Sequence, residues 1–259
     1  MISTKSLIFA TGLTLSAIGF TACGNNEQVQ NSQASTLEQI KKNGVIRVAV
    51  FADNPPFGYV DSEGKNQGFD IAVAKHVAKD LLGDENKIEY VVTEAANRVE
   101  FLKSNKVDVV FASFSVTPER IEVVDFAEPY LKASLGIASL KKSPINSVKD
   151  LENKTLIVNK GSSSDSYFSK NYPKIKLLKF EQNTDAFNAL KDGRGDAISQ
   201  DSTYALAWAA QNPDYVVGIP QIGNEDFIAP AVKKGNVELL NWLNTEIKHL
   251  RETGEIQKI

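Results

Sequence analysis

The clearest fold signal is the stretch VIRVAVFADNPPFGYVDSEGKNQGFDIAVAKHVAKDLL at residues 45–82. Its first seven residues are apolar except for Arg47, a pattern typical of a strand buried in a parallel sheet. A loop rich in turn formers follows, and Gly68-Phe69-Asp70 then opens a segment whose apolar residues recur at helical spacing. A strand, a loop and a helix in this order form one unit of an α/β sheet.

The same order of elements recurs along the chain, which predicts α/β sheets with a ligand crevice at the carboxyl ends of their strands. After Pro129-Tyr130 a second series of elements begins. Pro230, inside the late apolar segment 227–232, predicts an edge strand there. Two α/β series joined by two extended segments predict a bilobed protein with a cleft and a hinge. The further predicted strands are 88–92, 107–111, 155–158, 175–180 and 195–199, and the further predicted helices are 97–104, 184–190 and 237–251.

The first 35 residues predict export. Lys5 precedes an apolar run at residues 7–20, and small residues then lead to Cys23, the only cysteine of the chain. This order indicates a signal peptide over residues 1–22, a lipidated Cys23 and a polar, lipid-anchored tether over residues 23–35. A cleaved signal peptide with an incidental cysteine is the alternative. The run is shorter than the roughly 20 residues of a membrane span, so we expect a mature chain in the periplasm or on the outer face of the cell membrane.

Composition argues against several classes of function. The chain has 29 basic and 32 acidic residues, so nothing favours nucleic acid as a partner. The sequence contains no paired cysteines, no HExxH segment, no phosphate-binding loop and no GxGxxG pattern, and we therefore predict no metal, no cofactor and no catalytic residue. A monomer is the default expectation.

Hydroxyl residues and an arginine follow the predicted strand 107–111. The segment FASFSVTPER places Ser113, Ser115 and Thr117 ahead of Arg120. Hydroxyl groups beside a planar guanidinium form a good receptor for a carboxylate. The alternative is that Thr117 caps a short helix and leaves Arg120 exposed.

Two further polar segments follow strands of the second series. The loop KGSSS at residues 160–164 opens a helix, and its N–H groups at Ser162 and Ser163 favour an anion. A plain flexible loop fits the same residues. Asp201 follows the strand 195–199, where it can either cap the next helix or receive an ammonium group.

Taken in order, these segments resemble the polar amino-acid solute-binding proteins of bacterial ABC transporters. The resemblance runs from about Thr36 to the end of the chain. It implies an α/β, two-lobed periplasmic-binding-protein type II fold with two crossover hinge strands, in which the lobes close on a free amino acid. Lobe 1 would comprise residues 36–132 and 226–259, and lobe 2 residues 133–225. The segments that carry the resemblance are Gly68-Phe69-Asp70, 105–108, 115–120, 161–163, Gly195-Asp196 and Gln200-Asp201.

The resemblance also implies roles for individual residues. Arg120 would hold the α-carboxylate, helped by neighbouring hydroxyl and N–H groups, and Asp201 would pair with the α-ammonium. Phe51 matches a position that contacts the ligand side chain, Tyr59 would wall the pocket, and Arg98 would be a second cation near the cleft. The complete predicted ligand-binding set is Phe51, Tyr59, Arg98, Ser113, Ser115, Thr117, Arg120, Ser162, Ser163 and Asp201.

The ligand and the partner follow from the same resemblance. The segments PPFGYVD at 55–61, EAANRVEFLKSNKVD at 94–108 and GRGD at 193–196 are similar to the cysteine-binding branch of the family, which makes cysteine the predicted ligand and an ABC permease in the membrane the predicted partner. Glutamate, aspartate, glutamine and cystine remain open. The rival classes are an enzyme like cyclohexadienyl dehydratase on the same fold, for which Asp201 is the only evident general acid, and a surface antigen or adhesin.

Overall fold

The computed structural model describes residues 36–259. The predicted signal peptide, the tether and Cys23 lie outside the described residues. Among the helices of residues 36–259, none combines the length and the continuous apolar character that a membrane span requires.

The N-terminal half of the described chain alternates strands and helices, as the sequence pattern predicts. The segment 88–92 forms a strand over the predicted residues, whereas the strand predicted at 107–111 is reduced to two residues. In chain order the elements are α1 (Thr36–Asn43), β1 (Ile46–Val50), β2 (Asp53–Asn54), β3 (Gly58–Val60), β4 (Asn66–Gln67), α2 (Phe69–Leu82), β5 (Ile88–Val92), α3 (Arg98–Lys103), β6 (Val109–Val110), α4 (Pro118–Ile121) and β7 (Val124–Phe126).

The second half begins with a long strand and contains the second α/β series. The chain then returns to the first lobe, where its last strand joins the first sheet and two helices follow. The elements are β8 (Leu131–Leu140), β9 (Thr155–Asn159), α5 (Ser163–Asn171), β10 (Lys176–Phe180), α6 (Asn183–Lys191), β11 (Ala197–Asp201), α7 (Ser202–Gln211), β12 (Tyr215–Ile228), β13 (Ala231–Lys233), α8 (Val237–Glu252) and α9 (Glu255–Lys258).

Each lobe is built on a five-stranded sheet. The sheet of the first lobe has the order β5-β1-β6-β13-β7, and that of the second has the order β10-β9-β11-β8-β12. Strand β1 runs parallel to β5 and β6, and β9 runs parallel to β10 and β11. A small sheet with the order β2-β3-β4 follows β1. The strands β1, β6, β9 and β11 therefore deliver the residues that follow them to the carboxyl edges of two sheets.

Two long strands connect the lobes. Strands β8 and β12 pair antiparallel from Leu140 opposite Tyr215 to Leu131 opposite Ile228, and the register shifts at three places between these ends. Irregular register bends a strand pair and increases its twist. The two crossover strands predicted for the fold are thus present.

Apolar faces form a core in each lobe. In the first lobe Val48 of β1 packs in one cluster with Val77 of α2 and Leu243 of α8. In the second lobe Leu156 of β9 packs in one cluster with Phe168 of α5. The helical spacing that the sequence shows in 69–82 therefore marks the face of α2 that is buried.

The prediction of an edge strand at 227–232 is wrong. Strand β12 ends at Ile228 and β13 begins at Ala231, so Pro230 lies between two strands and takes no part in a ladder. Strand β13 lies between β6 and β7, inside its sheet. Proline has no N–H to donate, but its carbonyl can still accept: Pro230 O accepts a hydrogen bond from the N–H of Ala127 at 2.8 Å.

Candidate functional site

A polar cavity lies where strand ends of the two lobes meet. Residues after β1 and β6 of the first lobe face residues at the ends of β9 and β11 of the second. Six of the predicted site residues line this cavity, together with six that the sequence analysis does not single out for the site. The lining residues are Phe51, Asn54, Ala95, Arg98, Ser113, Asn159, Ser162, Ser163, Ser164, Asn183, Gln200 and Asp201.

Arg98 is a buried cation held by backbone carbonyls of both lobes. It is 2% exposed, and four of its N–H donors are used: Nε donates to Ala95 O at 3.0 Å, Nη1 to Ala112 O at 2.9 Å and Ser113 O at 3.2 Å, and Nη2 to Gly161 O at 3.3 Å. Burial lowers the pKa of Arg98 well below its ordinary value, and the charge of Arg120 lowers it further. Since a guanidinium has five N–H donors, Arg98 has little capacity left for a ligand.

Arg120 keeps more of its hydrogen-bonding capacity. Its Nη1 donates to Ser115 O at 2.8 Å and to Ser163 Oγ at 3.3 Å, and its Nη2 donates to Gly161 O at 3.1 Å. Burial lowers the pKa of Arg120 to about 10, while the carboxylates of Asp201 and Asp226 oppose that shift. Three bonds to the described residues leave two of five donors for a bound anion.

The local sequence explains where the guanidinium of Arg120 lies. Thr117 is the N-cap of α4 and its Oγ1 accepts a hydrogen bond from the N–H of Arg120 at 3.3 Å. The capping alternative is therefore right for Thr117 and wrong for Arg120, whose guanidinium contacts the second lobe. Thr117 lines a neighbouring cavity, which Ser163 also lines.

The serine loop after β9 meets the first lobe directly. Ser163 Oγ donates to Ser115 Oγ at 2.9 Å, and Ser162 caps α5 by accepting from the N–H of Asp165 at 3.1 Å. Gly161 has a φ of +73°, and a Cβ on it would lie 2.7 Å from the Cα of Ala96. Glycine is thus required at this close approach of the two backbones.

Asp201 faces the arginines without pairing to either of them. It is the N-cap residue of α7, but its side chain makes no capping bond, so the capping alternative for its carboxylate is wrong. Burial raises the pKa of Asp201 from 3.8 to about 6, and the charges of Arg98 and Arg120 oppose that rise. Such a carboxylate is suited to accept hydrogen bonds from an ammonium group.

The two aromatic residues predicted for the site lie in different places. Phe51 follows β1, lines the cavity and is 6% exposed; the guanidinium carbon of Arg98 lies 5.5 Å from its ring centroid. Tyr59 lies in β3, paired with Asp53 and Gln67, and is not among the described residues that line the cavity.

A buried acid that the sequence analysis did not assign to the site supports it from below. Asp70 accepts from Tyr130 Oη at 2.7 Å and from the N–H of Ser113 at 2.8 Å. Burial raises the pKa of Asp70 and these hydrogen bonds oppose the rise. Ser113 has a φ of +43°, a backbone conformation that costs energy for a residue other than glycine. The positive φ and the bond to Asp70 fix the turn that leads from β6 into the cavity.

A chain of amides, also missed, forms the wall from the second lobe. Gln200 Nε2 donates to Asn159 Oδ1 at 2.7 Å and to Asn183 Oδ1 at 2.6 Å. Asn183 Nδ2 donates in turn to Asp53 Oδ1 at 3.0 Å. Because each amide has a partner that fixes its orientation, this wall is a rigid and uncharged surface.

Asp53 clasps the second lobe from the first. Besides Asn183, its carboxylate accepts from the N–H of Thr184 at 3.0 Å, at the start of α6, and its carbonyl accepts from Tyr204 Oη at 2.9 Å. Negative charge is favourable at a helix N-terminus. Since these bonds join the lobes, separating the lobes must break them.

We expect Asp53→Ala to weaken ligand binding about 3- to 30-fold, and by the same factor for every ligand. The variant removes hydrogen bonds of the closed form and leaves the cavity lining in place. Isothermal titration calorimetry measures the effect. Asp61→Ala is the matched control, because the carboxylate of Asp61 accepts from Glu63, Lys65 and Gln67 of its own turn and from no described residue of the second lobe. Equal affinities of wild type and Asp53→Ala would contradict the clasp.

The site has no donor set for a metal ion: within residues 36–259, no group of three or more His, Cys, Asp and Glu side chains is placed to hold one. Its chemistry is that of a receptor. The unpaired carboxylate of Asp201 lines the cavity together with polar neutral groups. Arg120 and Ser115 are not among the described residues that line it, but both bond Ser163, which does.

Comparison with known proteins agrees with this geometry. Residues 46–259 match the family described as bacterial extracellular solute-binding proteins, family 3, and the chain belongs to this family. Among curated relatives, the ABC transporter glutamine-binding protein GlnH of Bacillus subtilis (strain 168) is 34% identical over 244 residues, which cover 92% of this chain and 89% of that protein.

Two solved structures are more similar in sequence. The solute receptor for L-cysteine of Neisseria gonorrhoeae shares 54% identity with a TM-score of 0.85, covering 86% of this chain and 91% of that one. The cysteine-binding protein of Campylobacter jejuni shares 55% identity with a TM-score of 0.86, covering 87% of this chain and 91% of that one.

The comparisons confirm the predicted class. The chain is an amino-acid solute-binding protein of the ABC transporter type with the two-lobed type II fold, and it acts outside the cytoplasm. Because these relatives are transport-associated binding proteins, the prediction that the chain is not an enzyme is also confirmed.

Proposed function

We propose that this protein captures L-cysteine outside the cytoplasm and delivers it to an ABC permease. The observation that carries the proposal is the placement of Arg120 and Asp201, which come from different lobes. Asp201 lines the cavity, Arg120 bonds the lining residue Ser163, and each charge acts on the pKa of the other. Arg120 receives the α-carboxylate, Asp201 receives the α-ammonium, and the lobes close around both.

The neighbouring residues complete this receptor. Ser115 and the backbone N–H of Ser163 support the carboxylate end, and Phe51 contacts the ligand side chain. The N–H of Ser162 donates to Asn159 O at 3.1 Å and Thr117 caps α4, so both act by holding the loops in place. Arg98 and Ser113 hold the floor of the cavity through the bonds described above.

Charge supports a ligand whose side chain is neutral. The charged residues that line the cavity are Arg98 and Asp201, and Arg98 has four of its donors bonded to carbonyls. Arg120 lies behind the lining residue Ser163, which it bonds, and it has donors left. Its guanidinium and the carboxylate of Asp201 match the two charges of the amino-acid backbone and leave none for a charged side chain. The identity of 54–55% to two cysteine-binding proteins favours cysteine among neutral ligands.

The remaining parts of the proposal concern attachment and form. A lipid on Cys23 would hold the protein at the outer face of the membrane, with residues 23–35 as a tether. Residues 36–132 with 226–259 would form one lobe and 133–225 the other, and the protein would act as a monomer. The cyclohexadienyl dehydratase alternative needs a general acid beside a departing hydroxyl, whereas the proposal assigns Asp201 to the ammonium of the ligand.

A thermal-shift screen of the twenty amino acids tests the proposal. A ligand at 100 times its Kd adds about 2.7 kcal/mol to stability, which corresponds to about 5–10 °C for a domain of this size. We expect L-cysteine to raise the melting temperature by this amount and D-cysteine to have no effect. A largest shift with another amino acid would contradict cysteine as the ligand, and no shift with any amino acid, with prephenate consumed, would establish the enzyme alternative.

A further inference from the structure

One residue that lines the cavity has a buried side-chain oxygen without a partner. Asn54 is 3% exposed and lines the cavity. Its Nδ2 donates to Ser113 Oγ at 3.2 Å, but its Oδ1 accepts no hydrogen bond from the described residues. A buried carbonyl without a donor is unfavourable, and such groups in native proteins call for an explanation.

The orientation of the Asn54 amide follows from the hydrogen bonds beneath it. The Ser113 hydroxyl has one hydrogen, which it donates to Asp70 Oδ2 at 3.4 Å. Asp70 is held in turn by the N–H of Ser113 and by Tyr130. The oxygen of the Ser113 hydroxyl must therefore accept from the NH₂ group of Asn54, and this turns the carbonyl oxygen of Asn54 away from Ser113.

Asn54 has a different role from the groups that bind the charged ends of the ligand. Arg120 and Asp201 account for the carboxylate and the ammonium of the ligand, and a neutral acceptor is needed for neither. Asn54 comes from β2, beside the end of β1 where Phe51 faces the cavity. Asn54 therefore lies beside the part of the cavity that Phe51 lines, and a donor on the ligand side chain that reaches its buried oxygen would satisfy it.

We propose that Asn54 is a specificity-determining residue whose Oδ1 accepts a hydrogen bond from a thiol or hydroxyl hydrogen on the ligand side chain. The inference rests on the proposed function. This hydrogen bond favours amino acids that carry a short side-chain donor over amino acids of equal size that do not. A closed cleft around an apolar side chain leaves Oδ1 of Asn54 without any donor.

The test compares L-cysteine with L-2-aminobutyrate, in which a methyl group replaces the thiol. Calorimetry in a reducing buffer is expected to show wild type binding cysteine about 10-fold more tightly, the effect of one hydrogen bond. In Asn54→Leu this ratio is expected to fall to about 1. Asn66→Leu is the matched control: Asn66 also has a buried unpaired Oδ1 but is not among the described residues that line the cavity, so its ratio stays at about 10.

A second variant keeps the inference testable if Asn54→Leu does not fold. Ser113→Ala removes the oxygen that orients the amide, and the ratio is again expected to fall. A ratio that stays near 10 in either folded variant overturns the role of Asn54. A wild-type ratio near 1, with cysteine bound, overturns the inference and leaves the proposed function intact. Wild type that binds no amino acid overturns both.

Discussion

Arg120→Ala is expected to weaken cysteine binding about 100- to 1,000-fold. The variant leaves the α-carboxylate of the ligand in a closed cleft without its main cation, and removing one partner of a buried, hydrogen-bonded charge pair costs about 3–4 kcal/mol. It also removes the bond from Arg120 to Gly161 O, one of the contacts between the lobes. Both losses act in the same direction, so we expect this to be the largest single effect.

Titration calorimetry of three variants separates charge from geometry. Arg120→Lys keeps the charge but loses the planar pair of donors, and we expect it to bind between wild type and Arg120→Ala. Arg251→Ala is the matched control, because Arg251 bonds Pro129 O and Glu128 on the surface of the first lobe. An affinity of Arg120→Ala within threefold of wild type would rule out the assigned role.

Asp201→Asn is expected to weaken binding about 100-fold at pH 7.5, because an amide is a poorer partner for the α-ammonium than a carboxylate. The effect depends on pH. The pKa of Asp201 is about 6 without ligand, so wild-type affinity should fall as pH drops below 6 and the carboxylate is protonated. Calorimetry at pH 5, 6 and 7.5 should show this fall in wild type and a flat profile in Asp201→Asn.

The same pKa predicts the opposite effect on stability. The pKa of Asp201 is raised in the folded protein, so its contribution to stability is full below pH 4 and is lost as pH rises through 6. Without ligand, Asp201→Asn should therefore melt higher than wild type at pH 7.5 but not at pH 4. Asp196→Asn is the control, since Asp196 precedes the same strand but bonds Thr155 and Lys154 at the surface. A flat affinity profile in wild type would contradict the role of Asp201.

The framework of the fold could be predicted because it depends on local pattern. The apolar run of β1 and the helical spacing in α2 locate the first sheet and its helix. Strand β12 was missed because Gly218, Pro220 and Gly223 interrupt its apolar pattern. Its pairing with β8 supplies what the local sequence lacks, as tertiary context commonly does for strands.

The site could be predicted only in part, for a related reason. Asp201 stands out because it follows the apolar strand predicted at 195–199, and Arg120 because it follows the hydroxyl residues after the strand predicted at 107–111. Asn54 and Asp53, by contrast, lie in a loop whose asparagine, aspartate and prolines are ordinary turn formers. Their roles come from Ser113 and Asn183, which lie 59 and 130 positions further along the chain, and no local pattern reports such contacts.

The central claim is that Arg120 and Asp201 bind the two ends of one zwitterion. The most direct measurement titrates wild type and Asp201→Asn with L-cysteine and with 3-mercaptopropionate, which keeps the carboxylate and the thiol but lacks the ammonium. Asp201→Asn should weaken cysteine binding about 100-fold and leave the weak binding of 3-mercaptopropionate unchanged or improved. An equal loss for both ligands would show that Asp201 does not bind the ammonium and would contradict the claim.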